Sequence, residues 1–137
     1  KIEDGVNETK RALEEGVITG GDVAFVNATK SFIQAAFKTR EEGQGYQIVL
    51  SAVEAPLRQI IENSAGTPDV IINSIRNSPS LTIGYNSLDN KIVEDMYKEG
   101  IIDATKVVKT VLQYAVNEAI LFLSIGGDIS EELIETK

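Results

Sequence analysis

The sequence contains no cysteine and no histidine. The first absence excludes disulfide scaffolds and thiol nucleophiles, the second removes the imidazole general base, and together they take away most zinc sites. Acid–base chemistry in this chain therefore falls to carboxylates. Positive charge is scarce as well: 13 Lys and Arg stand against 21 Asp and Glu, a formal net charge of -8. Such a surface repels nucleic-acid phosphates and anionic lipid heads, so no nucleic-acid or membrane partner is expected, and a phosphate ligand would need local help.

Long apolar runs are also missing. The most apolar stretch, residues 111–123, is broken by Gln113, Asn117 and Glu118 and falls short of the roughly 20 lipid-compatible residues of a membrane span. It reads as a buried helix. The chain opens on Lys-Ile-Glu-Asp without an initiator Met, a basic stretch or an apolar leader, so no secretory signal is expected and the chain is expected to start inside a longer protein. The tripeptides Asn7-Glu8-Thr9 and Asn27-Ala28-Thr29 fit the glycosylation pattern and, without a secretion route, read as chance matches.

What is present suits one packed domain: 137 residues, 42% hydrophobic and 25% charged, enough to bury roughly two-thirds of the unfolded surface. Ile2, Val6 and Leu13 recur at helical spacing up to Gly16, a C′ stop. Behind Gly20-Gly21 a second helix is expected, with Asp22 as N-cap and Phe25, Val26, Thr29, Phe32, Ile33 and Ala36 on one face. Residues 38–45 are charged and glycine-containing and read as an exposed loop. A third stripe through Ile48, Val49, Ala52, Val53, Leu57, Ile60 and Ile61 meets Pro56, where a kink or two abutting helices are expected. A short helix over residues 69–76 would point Val70, Ile71, Ile72 and Ile75 inward.

The alternation from Leu81 through Thr82 and Ile83 to Tyr85 suits a short strand whose partner lies elsewhere. Residues 92–99 read as a short helix stopped by Gly100. The longest helix follows, with Val108, Val111, Leu112, Ala115, Ala119, Phe122 and Leu123 along one side, and is expected to form the centre of the core. Gly126-Gly127 ends it before an acidic tail. The predicted fold class is mainly α, an antiparallel multi-helix bundle with a minor β element between Thr82 and Tyr85, stabilised by the Phe32, Ile60, Val111 and Phe122 stripes.

Four features carry candidate chemistry, each with a structural alternative. Asp4 either favours the helix dipole or is a catalytic carboxylate. Gly20-Gly21 is either a turn or a place where backbone approaches a ligand. Asp103 either caps the following helix or accepts hydrogen bonds from two sugar hydroxyls. Tyr85 and Asn86 are either turn residues or an aromatic wall and an amide facing an adenine edge.

The order Ile2-Glu3-Asp4, Glu14-Glu15-Gly16-Val17, Gly20-Gly21, Glu54-Ala55-Pro56-Leu57-Arg58-Gln59-Ile60, Gly84-Tyr85-Asn86, Gly100-Ile101-Ile102-Asp103, Thr105-Lys106-Val107 and Leu112-Gln113-Tyr114-Ala115 resembles the GroEL family of group I chaperonins along almost the entire chain. The resemblance implies that residues 1–16 end an intermediate domain and residues 17–137 form the C-terminal part of an equatorial domain. It implies that Asp4 matches the aspartate that activates the attacking water, reaching the γ-phosphate when the domain closes. Gly20 and Gly21 match glycines whose backbone borders the nucleoside, Asp103 the acid bonded to ribose, and Ile101 an apolar neighbour of the base. Tyr85, Asn86, Ser87 and Leu88 match the loop around adenine.

For the intact protein the resemblance further implies ATP with Mg2+ and ATP-driven encapsulation of unfolded polypeptides. Its implied partners are sister subunits in a double-ring homo-oligomer and a co-chaperonin, in the bacterial cytoplasm or an organelle of mitochondrial or plastid type. The phosphate-binding loop, the magnesium-binding aspartate and the apical client surface match nothing in this chain, so alone it is expected to be inactive. Three departures stand out. Asp22 replaces a further glycine, Ser87-Leu88 replaces smaller residues, and one extra residue lies between Asn86 and Gly100. Asp22 and the changed Ser87-Leu88 loop suggest, as one alternative, a degenerate paralogue with weak ATPase activity; the other alternative is a non-enzymatic helical interaction module in which Asp4 and Asp103 are solvated caps.

Overall fold

The computed structural model describes residues 2–32 and 37–125. The side chains of Asp4 and Phe32, the helical positions Ile33 and Ala36, and the tail from Gly126 onward lie outside the described residues. The fold is mainly α with a few short antiparallel strands.

The first helix, α1 (Ile2–Glu15), stops at Gly16, whose φ of 78° suits glycine and whose N–H bonds the Ala12 carbonyl at 2.8 Å. Strand β1 (Val17–Thr19) leads through the glycine pair into α2 (Val23–Thr29), continued by a single 3-10 turn, Lys30–Phe32. Asp22 does not cap α2 through its side chain. An N-cap carboxylate reaches the free N–H groups from an extended backbone, whereas Asp22 has φ 60° and ψ 7° and makes no cap bond. Val23 and Val26 are buried beneath it. Asn27 is only 7% exposed and donates to the Leu81 carbonyl at 2.9 Å, so the second glycosylation-like site is folded inward.

Helix α3 (Arg40–Asn63) begins inside the stretch expected to be a loop. Thr39 accepts from the Glu42 N–H at 3.1 Å while Glu42 accepts from the Lys38 N–H at 2.9 Å. The sequence fits the Thr-x-x-Glu pattern, although the Glu42 return bond goes to Lys38, one residue before the N-cap, and this cap outweighs the helix cost of Gly43 and Gly45. The expected break at Pro56 does not occur either: α3 runs through it for 24 residues. A helix-interior proline costs about 3 kcal/mol, which burial of Leu57 and Ile61, both 0% exposed, offsets.

Helix α4 (Pro68–Asn77) starts with proline in its first turn and buries Ile71, Ile72 and Ile75, leaving Val70 on the outside at 61% exposure. A 100° step per residue cannot keep three consecutive side chains on one buried face, and Val70 is the one displaced. Ion pairs join α4 to α3, Arg58 to Asp69 at 2.8 Å and Arg76 to Glu54.

The expected strand is shifted and its partner is local. Strands β2 (Gly84–Asn86) and β3 (Lys91–Val93) form a hairpin with Tyr85 opposite Ile92. The predicted helix over residues 92–99 is therefore a strand followed by a turn, because Ile92 and Val93 pair across the sheet while Val93 and Met96 turn into the core. Tyr85 is 3% exposed, and its hydroxyl bonds Asn90 Oδ1 at 2.7 Å and the Ser64 hydroxyl.

Strand β4 (Ile102–Ala104) leads directly into α5 (Thr105–Ser124). The N-cap of α5 is Ala104, so Asp103 does not cap the helix. The expectation that α5 centres the core is overturned: none of its described residues is buried, and Val111, Phe122 and Leu123 are 57%, 70% and 88% exposed. The core lies instead between α2, α3, α4 and the hairpin, around Leu57, Ile61, Ile72, Ile75 and Met96. Of the four predicted stripes, that of Phe32 enters this core through Val26 and that of Ile60 through Leu57 and Ile61, Ile60 itself being half-buried, whereas those of Val111 and Phe122 stay outside it. By length and composition α5 is apolar enough to cross a membrane, although Lys106, Lys109 and Glu118 lie along it. In this chain it touches α1 through Lys106 to Glu14 and Lys109 to Glu15, the latter at 2.6 Å. Exposed pairs of this kind are worth at most about 1 kcal/mol.

Candidate functional site

Gly16 ends α1 and releases an extended segment, and Gly100, with φ 71°, does the same before β4. The two segments pair antiparallel, Val17 with Ala104, Ile18 with Asp103 and Thr19 with Ile102. The pairing is extended on one side by Gly20 N–H donating to the Ile101 carbonyl at 3.0 Å, and on the other by Thr105 N–H donating to the Gly16 carbonyl at 3.1 Å. Residues remote in sequence thus share one narrow ribbon.

Gly20 is buried against that ribbon. A Cβ there would sit 3.0 Å from the Ile102 nitrogen and 3.1 Å from the Ile101 carbonyl carbon, both fixed backbone atoms. Gly20→Ala is therefore expected to push β1 from β4 and lower stability by roughly 1–3 kcal/mol. A drop in the unfolding midpoint checks this, and an unchanged midpoint would show that the ribbon yields freely. Gly21 differs: its φ is 60° and nothing lies within 4 Å of the Cβ position, so its backbone faces open space.

Beside the ribbon lies a cleft of about 230 Å³ lined by Asp22, Phe25, Ile102, Asp103, Ala104, Val107, Val108 and Val111. Its lining side chains are apolar apart from those of Asp22 and Asp103. Partial burial raises the Asp22 carboxyl pKa from its ordinary value. The cleft is smaller than the roughly 300–1,000 Å³ of a complete ligand site, so it has room for one end of a nucleotide.

The sequence candidates separate in space. Asp103 lines the cleft, Gly20 braces the ribbon under it, and Gly21 links Gly20 to the lining residue Asp22. Ile101 packs partly against the core, with its carbonyl held by Gly20. Tyr85, Asn86, Ser87 and Leu88 belong to the hairpin, and none of them lines the cleft. Asn86 folds its amide into the turn, donating to Asp89 at 3.2 Å and accepting from the Leu88 N–H at 3.0 Å, while Leu88 is 94% exposed. Among the described residues no cluster of three or more Asp or Glu side chains is placed to hold a metal ion. The sequence reading missed the apolar lining, having assigned Val108 and Val111 to the core. Asp22, expected as a cap, lines the cleft instead, and its position directly behind two glycines was the one sequence sign of it.

A profile of the TCP-1/cpn60 chaperonin family matches residues 1–131. The chain is 44% identical over 137 residues to a protein named Chaperonin GroEL from Mycoplasmoides gallisepticum, covering all of this chain and 26% of that protein. It is 42% identical over 133 residues to Chaperonin GroEL 3 from Protochlamydia amoebophila, covering 97% of this chain and 23% of the relative. A third relative, Chaperonin GroEL from Carsonella ruddii, is 41% identical over 115 residues, 84% of this chain and 21% of its own length. The chain therefore spans about a quarter of the length of these relatives. With the family profile running from Lys1 into the acidic tail and the same kinship recurring in each of these proteins, the chain belongs to the TCP-1/cpn60 chaperonin family, among its GroEL-type members.

Proposed function

We propose that this chain supplies the nucleoside side of an ATP site in a chaperonin subunit that encapsulates and refolds unfolded polypeptides. The observation that supports the reading is the β1–β4 pairing, in which Asp103 lies opposite Ile18 and Gly20 bonds Ile101, while Asp103 and Asp22, the residue after Gly21, line one cleft. In this reading the Gly21 backbone borders the nucleoside and Asp103 accepts from the ribose hydroxyls. Ile101 acts from beneath, and Tyr85, Asn86, Ser87 and Leu88, which lie outside the cleft itself, belong to the loop assigned to the base, with the buried Tyr85 as its anchor. Residues 1–16 belong to the intermediate domain and residues 17–137 to the equatorial domain.

Two anionic carboxylates repel a triphosphate, so its phosphates and Mg2+ are held by residues outside this chain. The same holds for the client surface, reached through the apical domain, and for the co-chaperonin. The exposed apolar side of α5 is covered by the remainder of the subunit, within a double ring of sister subunits. The compartment is the bacterial cytoplasm or the equivalent organelle interior.

Equilibrium titration of the intact protein with ATP tests the site. Asp103→Ala is expected to weaken binding about tenfold or more, the value of a hydrogen bond to a charged group. ATP affinity unaltered by the substitution would remove Asp103 from the site. No ATP binding by either protein would leave a helical interaction module as the better description.

A further inference from the structure

We propose that Asp22 is a specificity-determining residue, a second carboxylate contact for the sugar that makes the cleft select a vicinal diol over a deoxy sugar. This rests on the nucleoside reading of the cleft. Asp22 and Asp103 line the same small cavity, and because a carboxylate has more acceptor positions than a single partner uses, both can accept from a ligand that occupies it. Asp22 holds a left-handed backbone at φ 60° and ψ 7°, a conformation that glycine adopts at no steric cost. Aspartate tolerates this conformation better than most residues, yet at a cost that glycine avoids.

That side chain does not serve the fold in the ways an aspartate at this place usually does. It makes no cap bond to α2, and its carboxylate has no hydrogen bond or ion pair among the described residues. Ionised carboxylates only accept hydrogen bonds. Two of them on one cleft match a ligand presenting two adjacent donors, and the 2′ and 3′ hydroxyls of a ribose are such a pair. Phosphate oxygens, being acceptors and anionic, are turned away from the same spot. The pair therefore orients the nucleotide as well as selecting its sugar.

The test uses the intact protein and equilibrium binding of ATP, 2′-deoxyATP and 3′-deoxyATP. Asp22→Gly, which fits the left-handed backbone, is expected to narrow the preference for ATP over at least one deoxy analogue by about fivefold, as one lost hydrogen bond would. Affinity for that analogue should change little. Asp22→Asn, which keeps an acceptor oxygen and loses the charge, should fall between the two. A preference identical in wild type and Asp22→Gly, with ATP still bound, would overturn the role of Asp22 alone. Failure of wild type to bind any of the three nucleotides would overturn the nucleoside reading and this inference with it.

Discussion

Asp4→Ala in the intact protein is expected to slow ATP turnover by about 10²–10⁴-fold, the range for loss of a positioned acid–base group, while ATP affinity stays within about twofold. The asymmetry follows from the role that the resemblance implies for Asp4: a carboxylate that acts on the attacking water and not on the nucleotide would make its loss fall on kcat. Geometry supports the separation. Asp4 lies in the first turns of α1, and α1 ends at Gly16, whose carbonyl is tied to Thr105 beside the cleft. Twelve residues of helix at 1.5 Å each place Asp4 about 18 Å from that anchor, too far to touch a nucleoside held by Asp103. If the proposed intermediate domain closes on the nucleotide, the phosphate end is the part that this helix would approach. Asp4→Asn, which keeps shape but not basicity, should be nearly as slow as Asp4→Ala. Equal losses of binding and turnover would contradict the assignment, as would an unimpaired Asp4→Ala protein.

Leu57→Ala is expected to destabilise the chain by roughly 2–5 kcal/mol, the cost of emptying a well-packed leucine site. Leu57 is 0% exposed and directly follows Pro56, so its packing is what keeps α3 continuous past a missing backbone donor. Urea unfolding should show a lower midpoint with an unchanged slope, since the surface exposed on unfolding is nearly the same. A loss under about 1 kcal/mol would mean that neighbouring side chains close the cavity and that the continuity of α3 has another cause. Phe122→Ala offers the contrast within one chain: its 70% exposure leaves little packing to lose.

Local chemistry made several elements legible. Helix α1 and its glycine stop, α4 with its inward isoleucines and the existence of α5 follow from spacing and from Gly16, Pro68 and Gly100. The misreadings have separate physical sources. Gly43 and Gly45 concealed a helix start that the Thr39–Glu42 cap secures, and Pro56 signalled a break that tertiary packing overrides. Ile92, Val93 and Met96 mimic a helical stripe over too few residues to tell it from a hairpin arm. Helix α5 was misplaced for a different reason: periodicity reveals which side of a helix is apolar, but not whether the same chain covers it.

The candidate site was legible only through resemblance. Nothing in the spacing of Gly20 and Asp103 says that strands of three residues will join them, since that pairing depends on everything folded between. Resemblance named Asp103 and the glycines, yet treated Asp22 as a departure, although its carboxylate lines the cleft. The hairpin residues Tyr85 to Leu88 were grouped with the site as one loop, whereas the fold divides them into a buried anchor and an outward turn.

The brevity of that ribbon has a kinetic consequence. A two-stranded pairing of three-residue segments has too few bonds to persist alone, and its ends enclose most of the chain, so the entropy of ring closure opposes it until the intervening helices have condensed. The cleft is thus among the last features to form and the first to dissolve, and a nucleotide held there would certify a completed chain.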